Sequence, residues 1–212
     1  MPGTERSAVT AAALVDAAEA EFAATGFERA SLRAVMRSAG ADPGAVHYHF
    51  GGRPALAAAV LDRILRPLNE RRVELLDVAL VEATGASGPT VPTLVDALVR
   101  PDVEAAVELR ARSDAAVDRS RLLGAIYLDP AAFVIEQVEA HFRPVAGRFL
   151  PRLVAALPDH DVEVLSWRIR WVLFGTLGAV LSGPPEPAPL SPDVLLDRLV
   201  TSLAAAIAAP TE

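Results

Sequence analysis

Cysteine and lysine are both absent from this chain of 212 residues. The lack of cysteine excludes disulfide bonds, thiolate zinc sites and cysteine nucleophiles, and it favours a reducing intracellular location. Aromatic residues make up only 5% of the chain, so the hydrophobic content of 52% comes mostly from Ala, Leu and Val. In this mixture the helix formers Ala and Leu outweigh Val, which favours strands. The composition therefore predicts an all-α fold.

Long apolar runs and a targeting segment are also missing. The longest strongly apolar stretch without charge, residues 171–183, is well short of the roughly 18 to 20 residues that span a bilayer. The first six residues lack the basic start and the apolar core of a signal peptide. We therefore expect a cytoplasmic protein that does not contact a membrane.

The net charge of −7 argues weakly against a general binder of nucleic acids, because nonspecific affinity for them comes from clustered positive charge. The segment from Phe27 to Arg53 reverses this balance. It contains four arginines and only two acidic residues, Glu28 and Asp42, which gives a local charge of +2. A positive surface is therefore expected in this segment.

Apolar residues at helical spacing predict two helices before residue 40. The first covers residues 7–25, with Ser7 as its N-cap and Gly26 as its terminator. The second starts after Ser31, whose hydroxyl can accept a hydrogen bond from a backbone N–H two or three residues later. Its apolar side consists of Leu32, Val35, Met36 and Ala39.

Two further helices are predicted before residue 82. Asp42 is a preferred N-cap and Pro43 suits the first helical position, so a short helix is expected from there to about Phe50. After two glycines, a long helix is expected over residues 53–81.

The rest of the chain is also predicted to be helical, with a loop over residues 85–92. Pro144 and Pro151 are expected to bend or break the helix that carries them. The predicted helical segments are residues 93–100, residues 103–128, a helix that starts at Asp129 and Pro130, residues 160–182, and a last helix from Ser191 and Pro192 to about Ala209.

Residues 27–56 combine a helix of about seven residues, a glycine turn, a second short helix and a basic residue before the next helix. This is the layout of a DNA-binding helix-turn-helix, in which the second short helix lies in the major groove. Over about the first 65 residues, the sequence resembles the tetracycline-repressor family of transcriptional regulators. The residues that match the family's spacing are Gly26, Phe27, Ser31, Leu32, Val35, Ala39, Gly40, Gly44, Tyr48, His49, Phe50, Arg53 and Leu56.

The resemblance implies a DNA-binding surface. Ser31 and Arg53 would bind backbone phosphates, and Arg33 and Arg37 would contact phosphate or base from the side opposite the apolar residues. Gly44 would let the backbone approach the duplex closely. Pro43, Ala45, His47 and Tyr48 would face the groove or its walls, where Ala45 can meet a thymine methyl group. The predicted DNA-binding residues are Ser31, Arg33, Arg37, Pro43, Gly44, Ala45, His47, Tyr48 and Arg53.

The sequence departs from the family in two places. Many members have Ser-Lys before the glycine, where this chain has Asp42 and Pro43, and many have Tyr at the position of His47. A carboxylate and a proline here weaken the expected phosphate contact. Phe50 is expected to fill the space between the three short helices rather than to contact DNA.

No pattern in the sequence indicates catalysis. His47 and His49 are two residues apart, so on a helix they point about 200° apart and cannot share a metal ion. Ser166 and Ser182 lack the Gly-x-Ser-x-Gly setting of a nucleophile, and no glycine-rich phosphate loop is present. We therefore expect no enzymatic activity, no metal site and no cofactor.

The helix over residues 160–182 is apolar on two sides, one with Trp167 and Trp171 and another with Leu165 and Ile169. Such a helix needs two partners. One is its own domain, and the other is either a second copy of the chain or, for a fully buried monomer helix, more of the same core. In the family, the last two large helices of each subunit form a four-helix bundle, which favours a homodimer through residues 160–182 and the neighbouring helix.

These observations predict a helix-turn-helix DNA-binding domain in residues 1–54 and a helical effector-binding and dimerisation domain in residues 55–212. The leading hypothesis is a homodimeric repressor that binds a palindromic operator in duplex DNA and is released by a small, largely apolar effector. The alternative is a helical ligand-binding or scaffolding protein with a vestigial helix-turn-helix.

Overall fold

The computed structural model describes residues 2–83, 88–111, 129–182 and 191–210, together with residues 122 and 126. In these residues the chain forms α-helices and no strand, which confirms the predicted all-α fold. None of the helices in these ranges is long and apolar enough to cross a membrane. The helices are α1 (Pro2–Thr25), α2 (Leu32–Ser38), α3 (Ala45–Phe50), α4 (Arg53–Glu82), α5 (Val91–Ala111), α6 (Ala132–Ala156), α7 (Val162–Ser182) and α8 (Pro192–Ile207).

The chain divides into two compact units. Unit 1 holds the described residues of Met1–Leu65 and Arg112–Glu139, and unit 2 holds those of Arg66–Ala111 and Ala140–Glu212. Helices α4 and α6 therefore contribute residues to both units.

In unit 1, each of the first four helices contributes fully buried apolar side chains. Helix α1 packs against α2, and α2 packs against α3. An ion pair joins α4 to α1, because Nε of Arg63 donates to Oε1 of Glu19 at 2.6 Å. The fully buried side chains of α1 to α4 include those of Leu14, Phe22, Val35, Val46, Leu56 and Val60.

The predicted start of the first helix is wrong. Helix α1 begins at Pro2, so Ser7 lies inside the helix and does not cap it. Proline is favoured in the first turn of a helix, and Glu5 in that turn suits the positive end of the helix dipole. The predicted end is confirmed, since α1 ends at Thr25 and Gly26 follows with φ of +80°.

The predicted start of the third helix at Asp42 and Pro43 is also wrong. Helix α3 begins at Ala45, and its N-cap is Gly44 with φ +99° and ψ −9°. The N–H of Ala45 donates to the carbonyl of Asp42 at 3.0 Å. Proline followed by glycine in this conformation is typical of a type II turn, so Asp42 and Pro43 lie in the turn before the helix and Gly44 is the N-cap.

Helices α5 and α6 have three prolines in their interiors. The sequence predicts a helix end just before Pro101, and a bend or break at Pro144 and Pro151. Helix α5 is continuous through Pro101, and α6 is continuous through Pro144 and Pro151. A proline removes one backbone hydrogen bond, but the residues around these prolines are fixed by packing. Val99, Val103, Val145, Phe149 and Leu153 are all buried in the core of unit 2.

In unit 2, α5 packs against both α7 and α8, and α7 packs against α8. Ser191 caps α8 as predicted, since its Oγ accepts from the N–H of Val194 at 3.4 Å. At the other end of α8, Nη1 of Arg168 donates to the carbonyl oxygens of Ile207 and Ala209 at 2.7 and 2.6 Å. A cation at the last carbonyls of a helix stabilises its C-terminus.

The described residues of unit 2 include a buried ion pair. Nη2 of Arg72 donates to Oδ1 of Asp102, and both side chains are almost completely buried. The same guanidinium donates to the carbonyl of Leu98 at 2.9 Å and to Oδ1 of Asn69 at 2.6 Å. Burial raises the pKa of the Asp102 carboxyl above its ordinary value, and the opposing effect of Arg72 is smaller.

Candidate nucleic-acid interface

Helix α2 starts at the N-cap predicted from the sequence. Ser31 has an extended backbone, and its Oγ accepts from the N–H of Ala34 at 3.3 Å. The N–H of Ser31 donates in turn to Oε1 of Glu21 on α1 at 2.8 Å. The start of α2 is therefore fixed to α1 by a hydrogen bond that the sequence did not predict.

The two faces of α2 differ as the apolar pattern predicts. Val35 is fully buried, whereas Arg33 and Arg37 are exposed. These arginines are four residues apart, so they lie on neighbouring turns of the exposed face. They give α2 a positive surface.

Helix α3 is short and amphipathic. Val46 is fully buried, whereas His47 and Tyr48 are exposed, with 83% of Tyr48 accessible. The ring of His49 meets the ring of Tyr48 edge-on, with 4.9 Å between the centroids. Phe50 is half-buried. The turn before the helix is held to α2, because the N–H of Gly44 donates to Sδ of Met36 at 3.3 Å.

Arg53 opens helix α4 and is half-buried. Its Nη1 donates to the carbonyl oxygen of Phe27 at 3.0 Å. The guanidinium is therefore attached to the turn between α1 and α2. Arginine has five N–H donors, so this one bond leaves donors with which Arg53 can bind a phosphate.

None of the nine predicted DNA-binding residues is buried. Ala45 and Arg53 are half-buried, and the other seven are exposed. They lie on α2, on the turn before α3, on α3 and at the start of α4, all within unit 1. Within the described residues, no group of three or more His, Asp or Glu side chains is placed to hold a metal ion.

Two parts of the chain match known domains. Residues 14–60 match the domain described as bacterial regulatory proteins, tetR family. Residues 96–209, which are more than half of the chain, match the domain described as tetracyclin repressor-like, C-terminal. The chain belongs to the tetracycline-repressor family. Its predicted family is thereby confirmed, and members of this family are transcription regulators that bind DNA.

Several solved structures share the fold of this tetracycline-repressor family protein over nearly all of its length. GusR of Salmonella enterica is 19% identical, with a TM-score of 0.61 over 95% of this chain and 96% of GusR. NalD of Pseudomonas aeruginosa, the secondary repressor of the MexAB-OprM multidrug efflux pump, is 18% identical, with a TM-score of 0.60 over 93% and 96%. SmeT in complex with triclosan is 20% identical, with a TM-score of 0.57 over 93% and 90%. A comparison with curated proteins gives no match.

The sequence does not reveal two residues that hold the segment between α1 and α2 in this tetracycline-repressor family protein. Glu21 binds the N–H of Ser31, and Oδ2 of Asp129 accepts from the N–H of Phe27 at 3.0 Å. Asp129 was predicted only as the cap of a helix, and no local pattern connects it with a residue 102 positions earlier. An acidic residue on the last turns of α1 was the only signal for Glu21.

Proposed function

We propose that this regulator is a homodimeric repressor that binds a palindromic operator and is released by a small, largely apolar effector. Helix α3 would enter the major groove with Ala45, His47 and Tyr48, while Ser31 and Arg53 would bind phosphates on either side. The observation that carries the proposal is that α3 has one buried side and one accessible side. Val46 anchors the helix in unit 1, and its neighbours His47 and Tyr48 are accessible.

The exposure of Tyr48 supports contact with a partner. A tyrosine that is 83% accessible presents a large apolar ring and a hydroxyl donor to the surroundings. Hydroxyl and guanidinium groups are common donors to DNA phosphates. Arg33 and Arg37 on α2 would add positive charge beside Tyr48 in the same motif.

The acidic net charge and the presence of Asp42 and Pro43 favour the alternative of a vestigial helix-turn-helix. In the structure, Pro43 and Gly44 complete a type II turn that leads directly into α3. The motif is therefore intact despite this departure from the family's usual residues. The intact motif favours DNA binding over the vestigial alternative.

Helix α7 supports the proposed homodimer. Its Leu165, Ile169 and Val172 are buried in unit 2, whereas Trp167 and Trp171 are 63% and 53% exposed. Tryptophans four residues apart form one apolar stripe, and exposed apolar stripes are typical of protein interfaces. On α8, Val194 is 42% exposed. A second copy that covers α7 and α8 would remove these side chains from water.

The core of unit 2 supports a largely apolar effector. Among the described residues, Arg72 and Asp102 are the only fully buried charged side chains, and they are bound to each other. A ligand inside this unit would meet mainly aliphatic side chains, and such pockets select apolar molecules. SmeT, which shares the fold, has been solved with triclosan.

A selection from genomic DNA tests the proposal. Purified protein is mixed with fragmented genomic DNA at moderate salt, and the bound fragments are sequenced. We expect enrichment of fragments that share one palindromic sequence. The double variant Tyr48→Ala/Arg53→Ala should enrich none of them, whereas Val81→Ala, a change at an exposed position of α4 in unit 2, should behave like the wild type. Equal recovery of all fragments by the wild type would reject sequence-specific binding.

A further inference from the structure

Phe27 lies in the turn between α1 and α2. It follows Gly26, whose φ of +80° ends α1, and it precedes Ser31 at the start of α2. Its ring is fully buried and stacks on the ring of Phe22, with 4.6 Å between the centroids and 24° between the planes. The position of this residue therefore sets the path of the chain into α2.

Side chains from two distant segments bind the backbone of Phe27. Oδ2 of Asp129 accepts from its N–H, and Nη1 of Arg53 donates to its carbonyl oxygen, both at 3.0 Å. Hydrogen bonds with one charged partner are stronger than those between neutral groups. Arg53 begins α4, and Asp129 precedes α6, the two helices that contribute residues to both units.

The carboxylate of Asp129 has a second role. Its Oδ1 accepts from the N–H of Ala131 at 2.9 Å, at the start of α6. The two oxygens of one side chain thus join the start of α6 to the turn that leads to α2. Gly26 lies next to this carboxylate, since a Cβ added there would be at an ordinary van der Waals distance of 3.5 Å from Oδ2.

We propose that Asp129 is a positioning residue for operator binding. Without touching DNA, it holds Phe27 so that Ser31 and α2 keep the geometry in which they bind the phosphate backbone. This inference rests on the proposed function. It adds a residue outside the helix-turn-helix motif to those on which DNA affinity depends.

The sign of the effect separates positioning from simple electrostatics. Removal of a carboxylate from a DNA-binding unit reduces the repulsion of phosphates, so electrostatics alone predicts tighter binding by an Asp129 variant. The positioning role predicts weaker binding. It also predicts an unchanged slope of log K against log salt concentration, because no phosphate contact is lost.

Two substitutions of Asp129 leave one acceptor oxygen where the carboxylate has two. In Asp129→Ser, the shorter side chain can still cap α6, but its single oxygen cannot serve both Ala131 and Phe27. In Asp129→Asn, the size is kept and one of the two acceptor oxygens is lost. The matched control is Ser191→Ala, which removes the N-cap of α8 in unit 2 and leaves Phe27 untouched.

The experiment measures binding of each variant to the palindromic duplex recovered in the genomic selection, at several salt concentrations and at a temperature where all variants are folded. We expect Asp129→Ser and Asp129→Asn to bind roughly tenfold more weakly than the wild type, with the same salt slope. Ser191→Ala should bind like the wild type. Hydrogen exchange at the N–H of Phe27, measured without DNA, should accelerate in both Asp129 variants and stay unchanged in Ser191→Ala.

The outcomes distinguish the two proposals. If the wild type binds its duplex and both Asp129 variants bind equally well or more tightly, the positioning role is wrong and the proposed function stands. An unchanged exchange rate at Phe27 in Asp129→Ser would also overturn the positioning role. If the wild type binds no duplex, the proposed function fails, and the inference that rests on it fails as well.

Discussion

Arg53 donates from Nη1 to the carbonyl oxygen of Phe27 at 3.0 Å, across the helix-turn-helix. This bond orients a guanidinium that would otherwise be a flexible side chain at the start of α4. An orientation fixed before binding reduces the entropy lost when the guanidinium meets a phosphate. Arg53 therefore combines a structural contact with the phosphate contact that the proposed function assigns to it.

Substitutions of Arg53 should separate the contribution of its charge to operator binding from that of its planar geometry. Arg53→Lys keeps the charge but lacks the planar fork, so we expect roughly tenfold weaker operator binding with a nearly unchanged salt slope. Arg53→Gln should weaken binding further and reduce the slope by about 0.9, the value for one phosphate contact. Fluorescence anisotropy at several salt concentrations measures both. The control Arg71→Gln removes an exposed arginine of unit 2, and a slope change of the same size there would contradict the assignment.

The left-handed backbone conformation at position 44 should require glycine. Its φ of +99° lies where other residues are strained, so Gly44→Ala should lower the free energy of unfolding by about 1–3 kcal/mol. The matched control is Gly147→Ala within α6, where an added Cβ meets nothing within 4 Å and φ is not positive. That change should raise stability by up to about 1 kcal/mol. Denaturant unfolding of both variants checks the expectation, and a loss of stability in both would show that φ is not the cause.

The sequence predicted most of the helices of unit 1, because each has apolar residues at helical spacing and a clear end signal. Ser31 was correctly predicted as an N-cap, since a cap is a local property. Asp42 was not, because Pro43 and Gly44 favour a turn that competes with the cap. Helix α5 continues past the predicted end at Arg100, and α6 is not broken at Pro144 or Pro151, because tertiary packing outweighs one lost hydrogen bond.

The contacts that hold Phe27 and Ser31 between α1 and α2 could not be predicted from the sequence. Glu21 lies 10 residues before Ser31, and Asp129 lies 102 residues after Phe27. Such pairs are created by the fold and leave no periodic pattern. Nor does composition reveal that Arg72 and Asp102 meet in the core, because charged residues are rarely found there.

Breaking the buried ion pair of Arg72 and Asp102 should make the free energy of unfolding depend more strongly on pH. Arg72→Leu leaves the carboxylate of Asp102 buried without its partner, which should cost about 3–5 kcal/mol of unfolding free energy near neutral pH. The pKa of Asp102 is already raised by burial and rises further without the guanidinium. A carboxyl whose pKa is raised in the folded state contributes stability at low pH and loses it as pH rises through that pKa.

The destabilisation by Arg72→Leu should therefore be smaller at about pH 5 than at about pH 7. Denaturant unfolding at the two pH values measures it. The control Arg71→Leu breaks the exposed pair with Glu74 and should change stability by less than about 1 kcal/mol at either pH. A loss for Arg72→Leu that is equal at both pH values would show that Asp102 does not titrate as described.

Trp167 and Trp171 should hold the proposed homodimer together. The double variant Trp167→Glu/Trp171→Glu places two like charges on the exposed stripe of α7, so the dimer dissociation constant should rise at least roughly a hundredfold. Sedimentation velocity over a range of concentrations measures it. Val81→Glu, at another position that is 85% exposed, should leave the mass unchanged. A wild type that sediments as a monomer at all concentrations would reject the homodimer.

A footprint of the wild-type protein on the duplex recovered from genomic DNA tests whether a homodimer binds a palindromic operator. A dimer that inserts one α3 helix into each of two major grooves should protect two half-sites related by two-fold symmetry and centred about 34–36 Å apart, or a multiple of this distance. Arg53→Gln should weaken protection of both half-sites equally. A single protected patch without symmetry, or protection that is the same on unrelated duplexes, would contradict operator binding by a homodimer.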